Sequence, residues 1–217
     1  MGQVIYLDQH RADRSRPTVD AHPAFFFGLA CPLSYLTAER VERTLGEVEW
    51  IAVDGASLLG ERGPAELDAL RERAEIRARA LRLPLVWPDR FPAESRCALR
   101  AAAYACELGA GAGFVLAASR LAFCGGFDLE DPEMLTEAAA AAGVPLDECL
   151  AAAGDTRRDQ ALTATAGGLR SRGITELPAI RIGGRWFESE SGLPAARALL
   201  LEADPGYPLA RPLAPVG

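Results

Sequence analysis

Between Ala24 and Val53, within about thirty residues, the sequence changes period twice, and this stretch constrains the fold more than any other. Ala24-Phe25-Phe26-Phe27-Gly28-Leu29-Ala30 is a short unbroken apolar run, the pattern of a strand covered on both faces. Cys31-Pro32-Leu33-Ser34-Tyr35-Leu36 then opens a helix expected to reach about Leu45, with Leu36, Val41 and Leu45 on its inner stripe and Gly46 as its stop. Val48-Glu49-Trp50-Ile51-Ala52-Val53 returns to residues that favour a sheet. Strand, helix and strand at this spacing form a βαβ unit, whose two strands run parallel.

The flanking segments read differently. Residues 1–22 are polar, carry Arg11, Arg14 and Arg16, and read as a loosely attached arm with a short strand at Val4 to Leu7. From Pro64 to about Arg170 the pattern is helical. Leu67, Leu70, Ala74 and Leu81 mark one face of a first helix, and its Arg and Glu residues mark a solvated face laced with i,i+4 pairs. Further helices are expected at 93–108, 113–124, 132–142 and 146–170, the third capped by Asp131 with Pro132 in its first turn. Ala179-Ile180-Arg181-Ile182-Gly183-Gly184-Arg185-Trp186-Phe187 reads as a β-hairpin, because two glycines supply the positive φ angles of a tight turn. A last helix at about 193–202 precedes an extended tail over 204–217. The expected division is an arm at 1–22, an α/β unit from 23–60 and 171–203, a helical insertion at 61–170, and the tail.

Composition narrows the function. The chain has 217 residues, enough for a real core, and no apolar run approaches the roughly 18 residues of a transmembrane helix. Its start lacks the basic-then-apolar order of a signal peptide, so a cytoplasmic location is expected and no membrane partner. A net charge of −7, with Arg scattered among Glu and Asp, argues against nucleic acid. Every cationic side chain is Arg, and the chain contains neither Lys nor Asn, which excludes Schiff-base lysines and the phosphate-loop lysine. With His10 and His22 as the only histidines, a Ser-His-Asp triad or a multi-histidine metal site is not expected.

The chemistry points to sulfur. Cys31, Cys97, Cys106, Cys124 and Cys149 are odd in number and irregular in spacing, the pattern of reduced thiols. Four of them sit on expected helices and read as small core residues. Cys31 differs, since it lies at a strand-to-helix junction with Pro32 as the first helical residue. There the free N–H groups of the helix end favour a thiolate, so a depressed pKa and a reactive nucleophile are expected. Ser34, three residues on, is placed to donate a hydrogen bond to the sulfur, although it cannot resolve a mixed disulfide.

With its helical block between βαβ and ββα, the chain resembles the thioredoxin-like fold of the DsbA family, an α/β class with an all-helical insertion. Within that family it is similar to the branch of 2-hydroxychromene-2-carboxylate isomerases and kappa-class glutathione transferases, from about Ala24 to Leu201. Cys31-Pro32-Leu33-Ser34-Tyr35-Leu36 looks like the branch's Ser-Pro-Tyr-Ser segment, with Cys in place of the catalytic Ser. Trp87-Pro88-Asp89-Arg90-Phe91-Pro92 and Gly125-Gly126-Phe127-Asp128-Leu129 are similar to two further segments. The resemblance implies a cis-proline at Pro178, with Leu177 offering backbone groups beside Cys31. It also implies Cys31 and Ser34 as catalytic residues, with Pro32, Tyr35, Leu177 and Pro178 binding substrate. Thiol–disulfide exchange at Cys31 is the first expectation. A thiol-dependent isomerase or transferase is the second, and a non-catalytic binding module the third. No tightly bound cofactor and no metal are expected. The partners are a small thiol, a small-molecule substrate or a protein thiol, and a homodimer is the assembly considered. Glutathione is disfavoured, because Ser189-Glu190-Ser191-Gly192 stands where relatives often have Gly-x-Asp-Arg, and because Lys and Asn are lacking.

Three other signals are set aside. Gly109-Ala110-Gly111-Ala112-Gly113 imitates a dinucleotide loop but follows a helix, so it reads as a turn. Glu188 and Glu190 read as a solvated loop. Trp50, Trp87 and Trp186 read as core or pocket wall.

Overall fold

The computed structural model describes residues 22–60 and 62–207; the strand read at Val4 to Leu7, nearly all of the arm and most of the tail lie outside them. Strand β1 (Ala24–Phe27) pairs in parallel with β2 (Glu49–Ala52), which it reaches through helices α1 (Pro32–Ala38) and α2 (Val41–Leu45). Near the other end of the chain, β3 (Ala179–Ile182) pairs antiparallel with β1 and with β4 (Arg185–Glu188), giving the order β2-β1-β3-β4. The β3–β4 turn is Gly183-Gly184, where the sequence predicts it, but of the two glycines only Gly183 takes a positive φ, 57°.

Alternation along these strands builds two cores. Phe25, Phe27, Trp50, Ile180 and Ile182 belong to the larger one, where Phe25 meets Trp50 edge-on at 5.0 Å. Ala24, Phe26 and Ala179 belong to the smaller, where Trp186 covers Phe26 at 5.1 Å. Helices α3 (Gly55–Leu59) and α9 (Asp159–Arg170) supply Leu58, Ala166 and Leu169 to that second core. Helix α10 (Gly192–Ala203) supplies Leu193, Ala196 and Leu200 to the first.

The block between β2 and β3 contains α4 (Pro64–Leu81), α5 (Arg96–Glu107), α6 (Gly111–Gly125), α7 (Pro132–Ala142) and α8 (Leu146–Gly154). Alanines fill its contacts: Ala98, Ala101, Ala102 and Ala105 of α5, Ala118 of α6, and Ala138 and Ala139 of α7 are buried, so the helices approach closely. Asp131 caps α7, accepting from the Glu133 N–H at 2.9 Å, as expected.

Two expected helices are divided. The first ends at Ala38 and resumes at Val41, where Arg40 adopts φ −130° and its guanidinium reaches Glu190. The 146–170 run breaks at Asp155, which accepts from Arg157 N–H and starts a 3-10 turn over Thr156–Arg158 before α9. Helix α3 was not expected. Asp54 caps it, accepting from Ala56 and Ser57 N–H groups at 3.1 and 3.3 Å.

Candidate active site

Cys31 sits at the N-cap of α1 in an extended conformation, on a turn closed by its own N–H donating to Gly28 O at 3.2 Å. The turn is tight against the loop before β3. A Cβ on Gly28 would lie 3.2 Å from Leu177 Cδ1, so glycine permits that approach. The Cys31 S–H donates to the Leu177 carbonyl oxygen at 3.5 Å, and the Leu177–Pro178 peptide bond is cis. Cys31 makes no side-chain cap to the helix N–H groups.

The surroundings of Cys31, itself half-buried, run against the expected acidic thiol. Burial is the strongest influence on Cys31 and pushes its pKa up. The Ser34 hydroxyl, the N–H groups of Ser34 and Leu33, and the Arg62 charge act the other way without offsetting it. The Ser34 hydroxyl itself accepts from the Gly28 N–H at 3.2 Å, which ties the helix to the turn.

Cys31 and Leu177 border a cavity of about 600 Å³, walled on one side by the turns after β1 and β2 and on the other by Leu67 and Leu70 of α4, Phe91, and Leu99 of α5. Its lining is mostly apolar. Arg62, Asp54, Glu94 and Arg96 supply the charge. Arg96 is held by Asp54 at 3.1 Å and Asp159 at 3.6 Å, and Asp159 accepts from Nε and Nη2 of Arg100, each at 2.7 Å. Arg100, 7% exposed, also donates to Ala153 O at 3.0 Å. This chain of charges joins the β2–α3 turn to α5 and α9 across one wall of the cavity.

The other residues singled out from sequence do not line the cavity. Tyr35 is 1% exposed and stacks on Phe123 at 5.7 Å, with its hydroxyl donating to Pro84 O at 2.9 Å. It is a core residue, since that carbonyl draws the hydroxyl into the helical block and away from the cavity. Pro32 and Pro178 are buried and, like Ser34, stand outside the cavity lining; Pro178 O accepts from Ser189 N–H at 2.7 Å. Glu190 is no solvated loop residue. It is 2% exposed and ion-paired with Arg40 and with Nε and Nη2 of Arg77, at 2.6 and 2.8 Å. Glu188 accepts from the N–H groups of Thr175 and Glu176, which fastens the loop ahead of Leu177.

The remaining cysteines are free thiols. Burial pushes up Cys97, which Glu130 also raises, as well as Cys149 and Cys106, the last to about 12. Among the described residues no group of His, Cys, Asp and Glu is arranged to hold a metal, and no helix is long and apolar enough to cross a membrane. Sequence reasoning missed Arg62, Arg96 and Phe91 as cavity residues. Only the X-Pro steps around 88–92 marked that segment as irregular.

A family model for the DSBA-like thioredoxin domain matches residues 24–199. The fold is similar to a solved 2-hydroxychromene-2-carboxylate isomerase, with TM-score 0.72 and 16% identity over 83% of this chain and 94% of that one. It is also similar to a protein described as a "probable DsbA oxidoreductase" from Streptomyces coelicolor, with TM-score 0.65 and 19% identity over 90% of this chain and 94% of that one. Among curated proteins no sequence match was found. A βαβ–ββα sheet with its helices inserted after β2, matched from β1 into α10, makes this chain a member of the DsbA-like thioredoxin domain family.

Proposed function

We propose that the chain is a thiol-dependent isomerase or transferase acting on a small, largely apolar substrate bound beside Cys31. The observation that carries this reading is the cavity itself. At about 600 Å³ it lies within the usual size of small-molecule sites, and it is walled by Leu67, Leu70, Phe91 and Leu99. In this reading residues 23–60 and 171–203 form the thioredoxin-like unit that carries the thiol, and residues 61–170 supply the far wall.

The raised pKa supports a particular role for Cys31. At neutral pH its sulfur stays protonated, so it serves as a hydrogen-bond donor more readily than as a nucleophile. Turned from the Leu177 carbonyl, the same S–H reaches the sulfur of a small thiol co-substrate, as a hydroxyl at this position would. Ser34 holds the turn, and Arg62 and Arg96 offer guanidinium N–H groups to an acidic substituent. These residues fit a low-molecular-weight thiol, which when bound supplies a nucleophilic sulfur. Glutathione remains disfavoured, because Ser189-Glu190-Ser191-Gly192 stands where relatives often have Gly-x-Asp-Arg and the chain lacks Lys and Asn.

The test is conversion of 2-hydroxychromene-2-carboxylate, followed by absorbance, with a panel of small thiols. The expected result is a spectral change that requires added thiol and survives Cys31→Ser. No thiol-dependent conversion, together with disulfide reduction that disappears in Cys31→Ser, overturns the proposal in favour of a second reading. That second reading is single-cysteine thiol–disulfide exchange, and the contact of Cys31 with the Leu177 backbone favours it, since an extended thiol peptide would meet the sulfur there. A third outcome, neither activity with a partner retained, marks a binding module. Five thiols, all free, support a reducing, cytoplasmic setting.

A further inference from the structure

We propose that Phe91 determines the length of the apolar ligand accepted beside Cys31, because its ring partitions that cavity from a second cleft. The inference rests on the small-molecule reading above and names a specificity residue for it. Phe91 lines both spaces, as do Leu29, Ala30, Ala93, Glu94 and Ser95, and it has the largest side chain of the six. Behind it the second cleft is walled by Ala122, Phe123, Phe127 and Leu129, and holds only about 10 Å³ of free space, no more than one water requires. As the ring stands, a ligand reaching from Cys31 ends at Phe91. On this proposal, removing the ring extends the cavity toward Phe127, which is 50% exposed.

The ring is fixed from one helix. Trp87 meets Phe91 edge-on at 4.7 Å, and the Arg71 guanidinium lies 5.1 Å from the Phe91 ring and 5.7 Å from the Trp87 ring. Trp87 Nε1 donates to Glu75 Oε1 at 3.0 Å. Arg71 and Glu75 belong to α4, which also supplies Leu67 and Leu70 to the cavity. The partition and the wall therefore keep a fixed spacing.

The experiment uses N-alkyl maleimides from methyl to octyl on the full chain. Each adds across its double bond at Cys31, the sulfur bonding one alkene carbon and the thiol proton passing through water to the other. Rates are read by mass spectrometry on the peptide carrying Cys31, relative to N-acetylcysteine, so the other four thiols do not contribute. In the unmodified protein the relative rate should fall once the chain passes the length that ends at Phe91. Phe91→Ala should raise the octyl rate roughly tenfold, the ratio expected from burying about two more methylenes. Phe91→Trp should move the fall to shorter chains, and Arg71→Gln, which frees the ring without removing it, should lie between the unmodified protein and Phe91→Ala. Far-UV circular dichroism and the thermal midpoint report an intact fold in each variant. A length profile that stays the same in Phe91→Ala and Phe91→Trp overturns this proposal alone. Absence of any length dependence in the unmodified protein overturns it together with the small-molecule reading.

Discussion

The sulfur of Cys31 lies 3.5 Å from the carbonyl oxygen of Leu177, a residue 146 positions further along the chain. A thiol donates to a carbonyl and a thiolate is repelled by it, so this contact works with burial to keep the proton on. Alkylation of Cys31 should accordingly show a pH midpoint above the ordinary thiol value of 9.0, read as iodoacetamide rate against pH. A midpoint at or below neutrality would restore the nucleophile reading. The same shift bears on stability. A raised folded-state pKa contributes stability that is complete below 9.0 and is lost as pH rises through the folded value. Cys106, pushed up to about 12, acts in the same sense, and thermal midpoints should fall steadily above pH 9.

Tyr35 supplies a test of what is core and what is site. Its one hydroxyl proton goes to Pro84 O, so its 3.2 Å contact with Cys124 uses the proton of that thiol. Tyr35→Phe leaves the Pro84 carbonyl short of a donor and should cost about 1–2 kcal/mol in urea unfolding. Maleimide rates at Cys31 should not move; a changed rate would return Tyr35 to the cavity.

Glu190 contributes to behaviour in acid. Burial works to raise its pKa, but Arg77 and Arg40 more than offset that and hold it below 4.5. A lowered folded-state pKa contributes stability present above 4.5 and lost as pH falls through the folded value. Thermal melts between pH 3 and 7 should therefore show a decline below about 4.5 that Glu190→Gln flattens, with a lower plateau at neutral pH. Equal slopes in both proteins would remove Glu190 as the cause.

Gly111 opens α6 where the sequence imitates a nucleotide loop, and its lack of a side chain has a packing reason. A Cβ there would lie 2.6 Å from Cys106 Sγ and 3.2 Å from Trp50 Cβ. Gly111→Ala should destabilise by about 1–3 kcal/mol, and adding Cys106→Ala should recover part of the loss, a non-additive pair in a double-mutant cycle.

The elements that were legible are those whose cause is local. Gly183-Gly184 specifies a hairpin wherever it sits between two strand patterns, and Asp131-Pro132 starts α7 from adjacent residues. The break between α1 and α2 was not legible, because Arg40 is drawn to Glu190, 150 positions away. Helix α3 carried a readable sign in Asp54, but five residues are too few to register as a period. At the site, Cys31 and Leu177 were found because a junction and a resemblance marked them. Arg62, Phe91 and Arg96 were not, since their meeting depends on how the helical block folds back over the sheet. The sign of the Cys31 shift was missed for the same reason: cap position can be read along the chain, whereas desolvation depends on tertiary neighbours.

The sheet order has a consequence during synthesis. Strand β1 needs β3 on one edge, and more than 150 residues separate Phe27 from Ala179. At about 5–20 residues per second the ribosome needs roughly 10–30 s to deliver that partner. For that interval Phe25, Phe26 and Phe27 wait beside β2 with one edge open, and the nascent chain presents its stickiest segment to whatever chaperone stands at the tunnel exit.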